Sequence, residues 1–196
     1  MAQHVPPTTD PQRIRALSHP VRLRLLELLD DGPATATECA AATGESVASC
    51  SFHLRMLAKY GWIEPAARRG REKPWALVAR GRDVRPMPDH PDSVRTVAAM
   101  ASVWLEHEVE HVRTYLAAAP HEPDAWVQAA TLYEAKAWAT VEELAELSRT
   151  VQRLTDLFDE RRDDPTKRPP GARPIRVLAA VHVDVVKERR TAGAAR

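Results

Sequence analysis

Residues 107–111 read H-E-V-E-H, a spacing that places two imidazoles on one face of a helix. In zinc peptidases such a pair binds the metal, and the intervening glutamate, here Glu108, is the general base. No further zinc-site signature follows, and His121 and Glu134 are candidate third ligands only by convenience. We therefore expect no metal, no cofactor and no enzymatic activity. The alternative is a metal-dependent hydrolase, or a metal-sensing regulator, that uses His107, Glu108 and His111.

A basic run in a turn-prone segment, residues 68–73, could do a different kind of chemistry. It reads R-R-G-R-E-K, and cationic side chains on a loop suit the phosphates of a nucleic-acid backbone. A solvated charged turn is the alternative. The net charge of the chain is +1, divided between +4 for residues 1–82 and −3 for residues 83–196. Because contacts with phosphate are short-ranged, this local cluster matters more than the total.

The segment before the basic run predicts several short helices. Asp10-Pro11 and His19-Pro20 each start a helix, and Thr35 with Glu38 forms a capping box for a third. Gly44 breaks that helix, and Ser46 caps the next, 47–60, which ends at a glycine. Cys50, Leu54 and Leu57 share one face of this last helix, which leaves Ser49, Phe52, His53 and Arg55 toward its other sides. Two short apolar segments, 62–64 and 75–78, flank the basic run and predict a β-hairpin.

Two short helices with a glycine turn and a basic hairpin form a winged helix-turn-helix. Three segments, residues 17–29, 40–44 and 46–64, resemble the ArsR-type winged-helix transcriptional regulators, and the likeness covers about residues 10–80. The resemblance implies a homodimeric, sequence-specific DNA-binding protein, often a repressor that an effector releases. Carried over by position, it implies groove-facing residues Ser49, Ser51, Phe52, His53 and Arg55. It implies phosphate contacts from Ser46, Arg68, Arg69, Arg71 and Lys73.

Two of these assignments have structural alternatives. His53 could cap or buttress the helix, and Phe52 could fill a gap within the molecule.

Many members of the resembled family sense metals through a Cys-x-Cys pair, whose positions fall here at Thr35 and Thr37. The two cysteines present, Cys39 and Cys50, are instead predicted to be small buried hydrophobic residues.

The second half of the sequence is predicted to be mainly helical. The predicted elements are a helix at 93–118 with an apolar stripe, a shorter helix at 124–136, a helix from Thr140 to about Phe158 and a strand at 175–185. Large aromatic and histidine side chains in this half could wall a pocket for a flat or apolar effector. The alternative is that they belong to a core or to a dimer interface. The candidate effector residues are Trp104, His107, His111, Tyr115, Trp126, Tyr133 and Trp138.

The fold class is therefore expected to be mainly α with a small β component, in two domains. These are a winged helix-turn-helix domain at 10–82 and an α-rich (α+β) domain at 93–187 for dimerisation or effector binding, joined by a proline-rich linker at 83–92. With 44% hydrophobic and 28% charged residues, no apolar run long enough to cross a bilayer and no signal-like start, we expect a cytoplasmic protein. The expected partners are a pseudo-palindromic DNA operator, a second copy and a small-molecule effector. A further alternative is an interaction protein whose winged helix binds another protein.

Overall fold

The computed structural model describes residues 8–79, 84–87, 90–154 and 156–185. Contacts divide the chain into an N-terminal unit, residues 3–127, and a C-terminal unit formed mainly by residues 128–196. The described elements are mainly helices, with one small sheet, as expected. Residues 80–83, 88–89, 155 and 186–187, which fall within the predicted domains and linker, lie outside the described residues. The predicted domain limits stay a prediction.

Local capping chemistry sets the helices at the start of the N-terminal unit. The Asp10 side chain accepts from the Gln12 N–H at 2.9 Å, and the His19 ring accepts from the Val21 N–H at 3.2 Å. Thr35 and Glu38 form the predicted reciprocal capping box. Because each cap satisfies an amide that the helix leaves unpaired, each helix begins where the sequence predicts. The four helices are α1 (Pro11–Arg15), α2 (Pro20–Asp30), α3 (Ala36–Thr43) and α4 (Val47–Lys59).

The hydrophobic core lies between these helices and the base of the hairpin. Strands β1 (Ile63–Pro65) and β2 (Trp75–Leu77) pair antiparallel, with Ile63 opposite Leu77. Trp75 also exchanges two backbone hydrogen bonds with Ala34, at 2.8 and 3.0 Å, which joins the hairpin to the start of α3. The largest fully buried side chains include Ile14, Leu17, Leu25, Leu26, Leu29, Leu54, Leu57 and Ile63.

Helix α5 (Pro91–Ala118) belongs to the N-terminal unit and packs on α1 and α2. Among the side chains of this helix that the structure describes, Ser93, Thr96, Met100 and Glu108 are buried. Most of the apolar stripe predicted from the sequence lies on a different side of the helix from these buried residues. Within that stripe, the exposed side chains are Val94, Leu105, Val109 and Leu116.

Later in the chain the helices are shorter than predicted, and the predicted strand is wrong. Helix α6 (Asp124–Ala129) ends at Ala129 rather than at 136, and α7 (Val141–Arg153) ends before a 3-10 turn at Asp156–Phe158. Apolar side chains recur at every second position from 175 to 185, but the structure assigns no strand to these residues. A period-2 pattern supplies the faces of a strand, whereas a strand also needs a hydrogen-bonded neighbour. Helix α8 (Asp159–Asp163) follows the 3-10 turn.

Candidate nucleic-acid interface

The N-terminus of α4 is held by polar contacts around Ser46. The Ser46 hydroxyl accepts from the Ser49 N–H at 3.1 Å, which caps the helix. The Ser49 hydroxyl in turn donates to Glu45 at 3.3 Å, and Glu45 forms an ion pair with Arg24 at 2.8 Å. Because Arg24 offsets the charge of Glu45, the carboxylate opposes an approaching phosphate less than an unpaired one would.

The outward side of α4 carries an apolar and a cationic side chain next to each other. Phe52 is 52% exposed and Arg55 is exposed, while Ser49 and Ser51 are half-buried. Arg55 has no hydrogen-bond or ion-pair partner within the part of the chain that the structure describes. A guanidinium without an internal partner has its N–H donors available for a ligand, such as the edge of a guanine base.

His53 does not share this outward side, and the expectation that it faces the groove is wrong. Its side chain is 8% exposed, and its ring centroid lies 4.4 Å from that of His19. The spacing of three from Cys50 and four from Leu57 places it at the border of the buried face. Burial lowers the pKa of both histidines, so both rings are held neutral near pH 7.

Arg69 in the wing is engaged in contacts within the protein. Its guanidinium donates to both carboxylate oxygens of Glu38, at 2.8 and 3.1 Å, and also lies 3.8 Å from Glu72. Glu38 already accepts the Thr35 N–H at 2.6 Å, and this hydrogen bond, aided by Arg69, lowers the pKa of the Glu38 carboxyl. Arg69 therefore links the hairpin tip to α3 and is less available to phosphate than the sequence suggests.

The other three wing cations are open to a ligand. Arg68, Arg71 and Lys73 are exposed and lack hydrogen-bond or ion-pair partners among residues 8–79 and the other described segments. Gly70 takes φ = 63° at the tip, a left-handed conformation that glycine adopts without strain. The wing thus presents three free positive charges on a defined turn.

The hairpin is anchored through Trp62, which lies just before β1 and three residues after the end of α4. Its indole N–H donates to the Arg13 carbonyl at 2.9 Å, and the Arg13 guanidinium lies 4.6 Å from the ring centroid. Arg13 also donates to the Gly61 carbonyl at 3.1 Å. These contacts fix the direction of the hairpin relative to α4, and so the position of the wing cations relative to Arg55.

Both cysteines are buried, as predicted. Cys39 and Cys50 are at most 1% exposed, and burial raises the pKa of the Cys39 thiol to about 11. The thiolate is the form that binds metals and reacts, so Cys39 is inert near neutral pH.

A cluster of potential metal ligands lies elsewhere in the N-terminal unit. His107 Nε2 and His111 Nε2 lie 3.0 and 3.2 Å from the same oxygen of Glu27, and 3.2 Å from each other. Glu27 belongs to α2, 80 residues before His107, and the sequence offers no local signal for its role. His121 is exposed in a 3-10 turn, and Glu134 is exposed in the C-terminal unit.

The buried Glu108 does not belong to this cluster, among the residues that the structure describes. A general base must reach the water that it activates. The geometry therefore brings together the two histidines of the H-E-x-x-H motif with a different carboxylate.

The predicted effector residues fall into both units. Trp104 packs against the core, Tyr115 and Trp126 are partly exposed, and Tyr133 and Trp138 are 81% and 80% exposed. The first three belong to the N-terminal unit together with His107 and His111, and the last two belong to the C-terminal unit. A pocket formed by all seven stays a prediction.

Comparison with known proteins supports the N-terminal part of this description. Residues 17–65, from α2 to the first strand of the hairpin, match the family model of a helix-turn-helix domain. A search of curated proteins found no match. The helix-turn-helix match indicates a DNA-binding transcription regulator rather than an enzyme. None of the helices in the described residues combines the length and apolarity that a bilayer crossing requires.

Proposed function

We propose that the protein is an ArsR-type transcriptional repressor that binds a pseudo-palindromic operator as a homodimer in the cytoplasm. In each protomer α4 enters the major groove, where Ser49, Ser51, Phe52 and Arg55 meet base edges. The wing residues Arg68, Arg71 and Lys73 bind backbone phosphates, with the N-terminus of α4 at Ser46 as a further phosphate contact. Arg69 orients the wing and contributes less to phosphate binding.

The observation that carries this proposal is that one domain presents two cationic surfaces without internal partners, one on α4 and one on the wing. Arg55 on α4 and the three wing cations are exposed and unpaired in the described structure, although carboxylates elsewhere in the domain are paired with arginines. Exposed cationic side chains without partners favour a polyanion that supplies the missing acceptors. An α-helix and a hairpin fit the major groove and the adjacent backbone of duplex DNA.

The outer side of α5 supports the homodimer. Val94, Leu105, Val109 and Leu116 recur at spacings of four, seven and eleven and are all at least 39% exposed. These spacings place the four side chains along one stripe of a helix. Burying such a stripe against a second copy removes apolar surface from water. Two protomers joined in this way would present their α4 helices to half-sites about 10 bp apart.

Repression and release by a small molecule follow from the resemblance to ArsR-type regulators. Within the N-terminal unit the candidate effector contacts are the aromatic and histidine side chains Trp104, His107, His111, Tyr115 and Trp126. Effector binding near α5 would change the separation of the two α4 helices, since α5 packs on α1 and α2.

Selection from a pool of random duplexes, repeated over a series of salt concentrations, tests the proposal. We expect enrichment of a two-fold symmetric sequence and a steep loss of affinity as salt rises. Retention on heparin, measured over the same salt series, reports on the cationic surface alone, because heparin is a polyanion without bases. A protein that binds neither ligand at low salt contradicts the proposal and supports the interaction-protein alternative.

A further inference from the structure

The three side chains Glu27, His107 and His111 converge on one point between α2 and α5. Their ligand atoms form a nearly equilateral triangle with edges of 3.0, 3.2 and 3.2 Å. Ligand atoms about 2.0–2.1 Å from a tetrahedral zinc ion lie about 3.3 Å from each other. The triangle therefore matches one face of a zinc coordination tetrahedron before any ion is bound.

Hydrogen bonds alone do not satisfy this triangle. A carboxylate oxygen only accepts, and each Nε2 offers either one proton or one lone pair. If both Nε2 atoms carry protons, two donors face each other at 3.2 Å. If only one is protonated, at least one acceptor pair on the triangle lacks a proton. A cation seated just out of the plane of the triangle accepts a lone pair from all three atoms at once.

The site is open enough for an ion to enter. The side chains of His107, His111 and Glu27 are 17%, 34% and 35% exposed, so the cluster lies at the edge of the packed region. Both histidines project from the same face of α5, where their spacing of four holds the two rings side by side. Two imidazoles and one carboxylate are borderline ligands that suit zinc and its first-row neighbours rather than calcium or magnesium.

We propose that Glu27, His107 and His111 bind one divalent transition-metal ion of the zinc class, with a fourth position left to solvent. The ion joins α5 to α2, a helix of the helix-turn-helix domain. Glu108 takes no part in binding it. This proposal does not depend on DNA binding, and the two are measured separately.

Zinc titration of the metal-stripped, full-length protein tests the site. We expect one zinc ion per chain, measured by calorimetry or by competition with a chromophoric chelator. Cobalt(II) at the same stoichiometry should give the intense visible bands of four-coordinate geometry. Glu27→Gln and His111→Gln should each weaken zinc binding more than about 100-fold, beyond the 10–100-fold cost of losing a residue that only orients a ligand. The matched controls are Glu110→Gln and His121→Gln, exposed residues of the same types, which should bind zinc like the wild type.

Thermal unfolding of the same proteins supplies a second measurement. Zinc should raise the melting temperature of the wild type and of both controls, since an ion that bridges α2 and α5 binds the folded chain preferentially. Zinc should leave the melting temperatures of Glu27→Gln and His111→Gln unchanged. As a control for folding, the far-ultraviolet circular dichroism spectra of these two variants without metal should match that of the wild type. Absence of saturable zinc binding overturns the proposal. Retention of wild-type affinity by Glu27→Gln overturns it as well, because the inference depends on the ligand from α2.

Discussion

Removal of the three unpaired wing cations should lower both the affinity for duplex DNA and its dependence on salt. The change is Arg68, Arg71 and Lys73 to alanine in one variant, since all three are exposed and lack partners in the described structure. Each phosphate contact contributes about 0.9 to the slope of log K against log salt concentration. Three contacts in each of two protomers therefore predict a slope shallower by about 5, and Arg71→Ala alone predicts about 2.

Arg69 and Arg95 provide the matched comparisons for this measurement. Arg69→Ala should change the slope less than Arg71→Ala, because the Arg69 guanidinium already pairs with Glu38 and Glu72. Arg95→Ala removes an equal charge from an 82% exposed side chain on α5 and should leave the slope unchanged. Fluorescence anisotropy with one labelled duplex at four or more salt concentrations gives all the slopes. If the triple variant retained the wild-type slope, the assignment of phosphate contacts to the wing would be refuted.

Three further predictions concern stability and reactivity. Leu54→Ala should lower the free energy of unfolding by about 2–5 kcal/mol because Leu54 is fully buried, whereas Phe52→Ala on the same helix should change it by less than about 0.5 kcal/mol. Guanidinium titrations give both values, and equal losses would contradict the assigned faces of α4. Burial holds the pKa values of His19 and His53 below their ordinary value, so the unfolded chain binds more protons as the pH falls. The stabilising contribution of the two neutral histidines should thus be fully present above about pH 6.5. Below this pH the free energy of unfolding should fall, by at most about 1.4 kcal/mol per pH unit for each group. His53→Gln should make this dependence shallower, and an unchanged profile would count against a buried neutral His53. The buried Cys39 thiol, whose pKa is raised to about 11, should not react with a thiol reagent at pH 8 until denaturant is added. Rapid labelling of both cysteines in the native protein would contradict their burial.

Features that depend on neighbouring residues were predictable from the sequence. The capping residues Asp10, His19, Thr35, Ser46 and Thr140 all begin helices in the structure, because a cap acts on an amide two or three residues away. The hairpin was predictable for the same reason, since a charged turn with Gly70 separates its two short apolar segments.

Features that depend on distant residues were not. The ion pair between Arg69 and Glu38 joins positions 31 apart, and Glu27 reaches His107 across 80 residues. Neither Glu38 nor Glu27 carries a local sequence pattern that indicates its distant partner. The strand predicted at 175–185 failed because alternation of side chains does not supply a pairing partner.

His53 lies between these two cases. Its spacing from Cys50 and Leu57 was visible in the sequence, yet the width of the buried face of α4 depends on His19, which stacks on it from α2's cap. The number of side chains buried on one side of a helix depends on which neighbouring residues pack against it.

The contribution of Arg55 to sequence discrimination tests the central claim most directly. The measurement compares the affinities of wild type and Arg55→Ala for the selected duplex and for a scrambled duplex of equal length at one salt concentration. Base-edge contact by α4 predicts that Arg55→Ala loses about 1–3 kcal/mol of discrimination per contacted base pair and keeps most of its affinity for the scrambled duplex. Full discrimination by Arg55→Ala, or an equal loss of affinity for both duplexes, would contradict the placement of α4 in the groove.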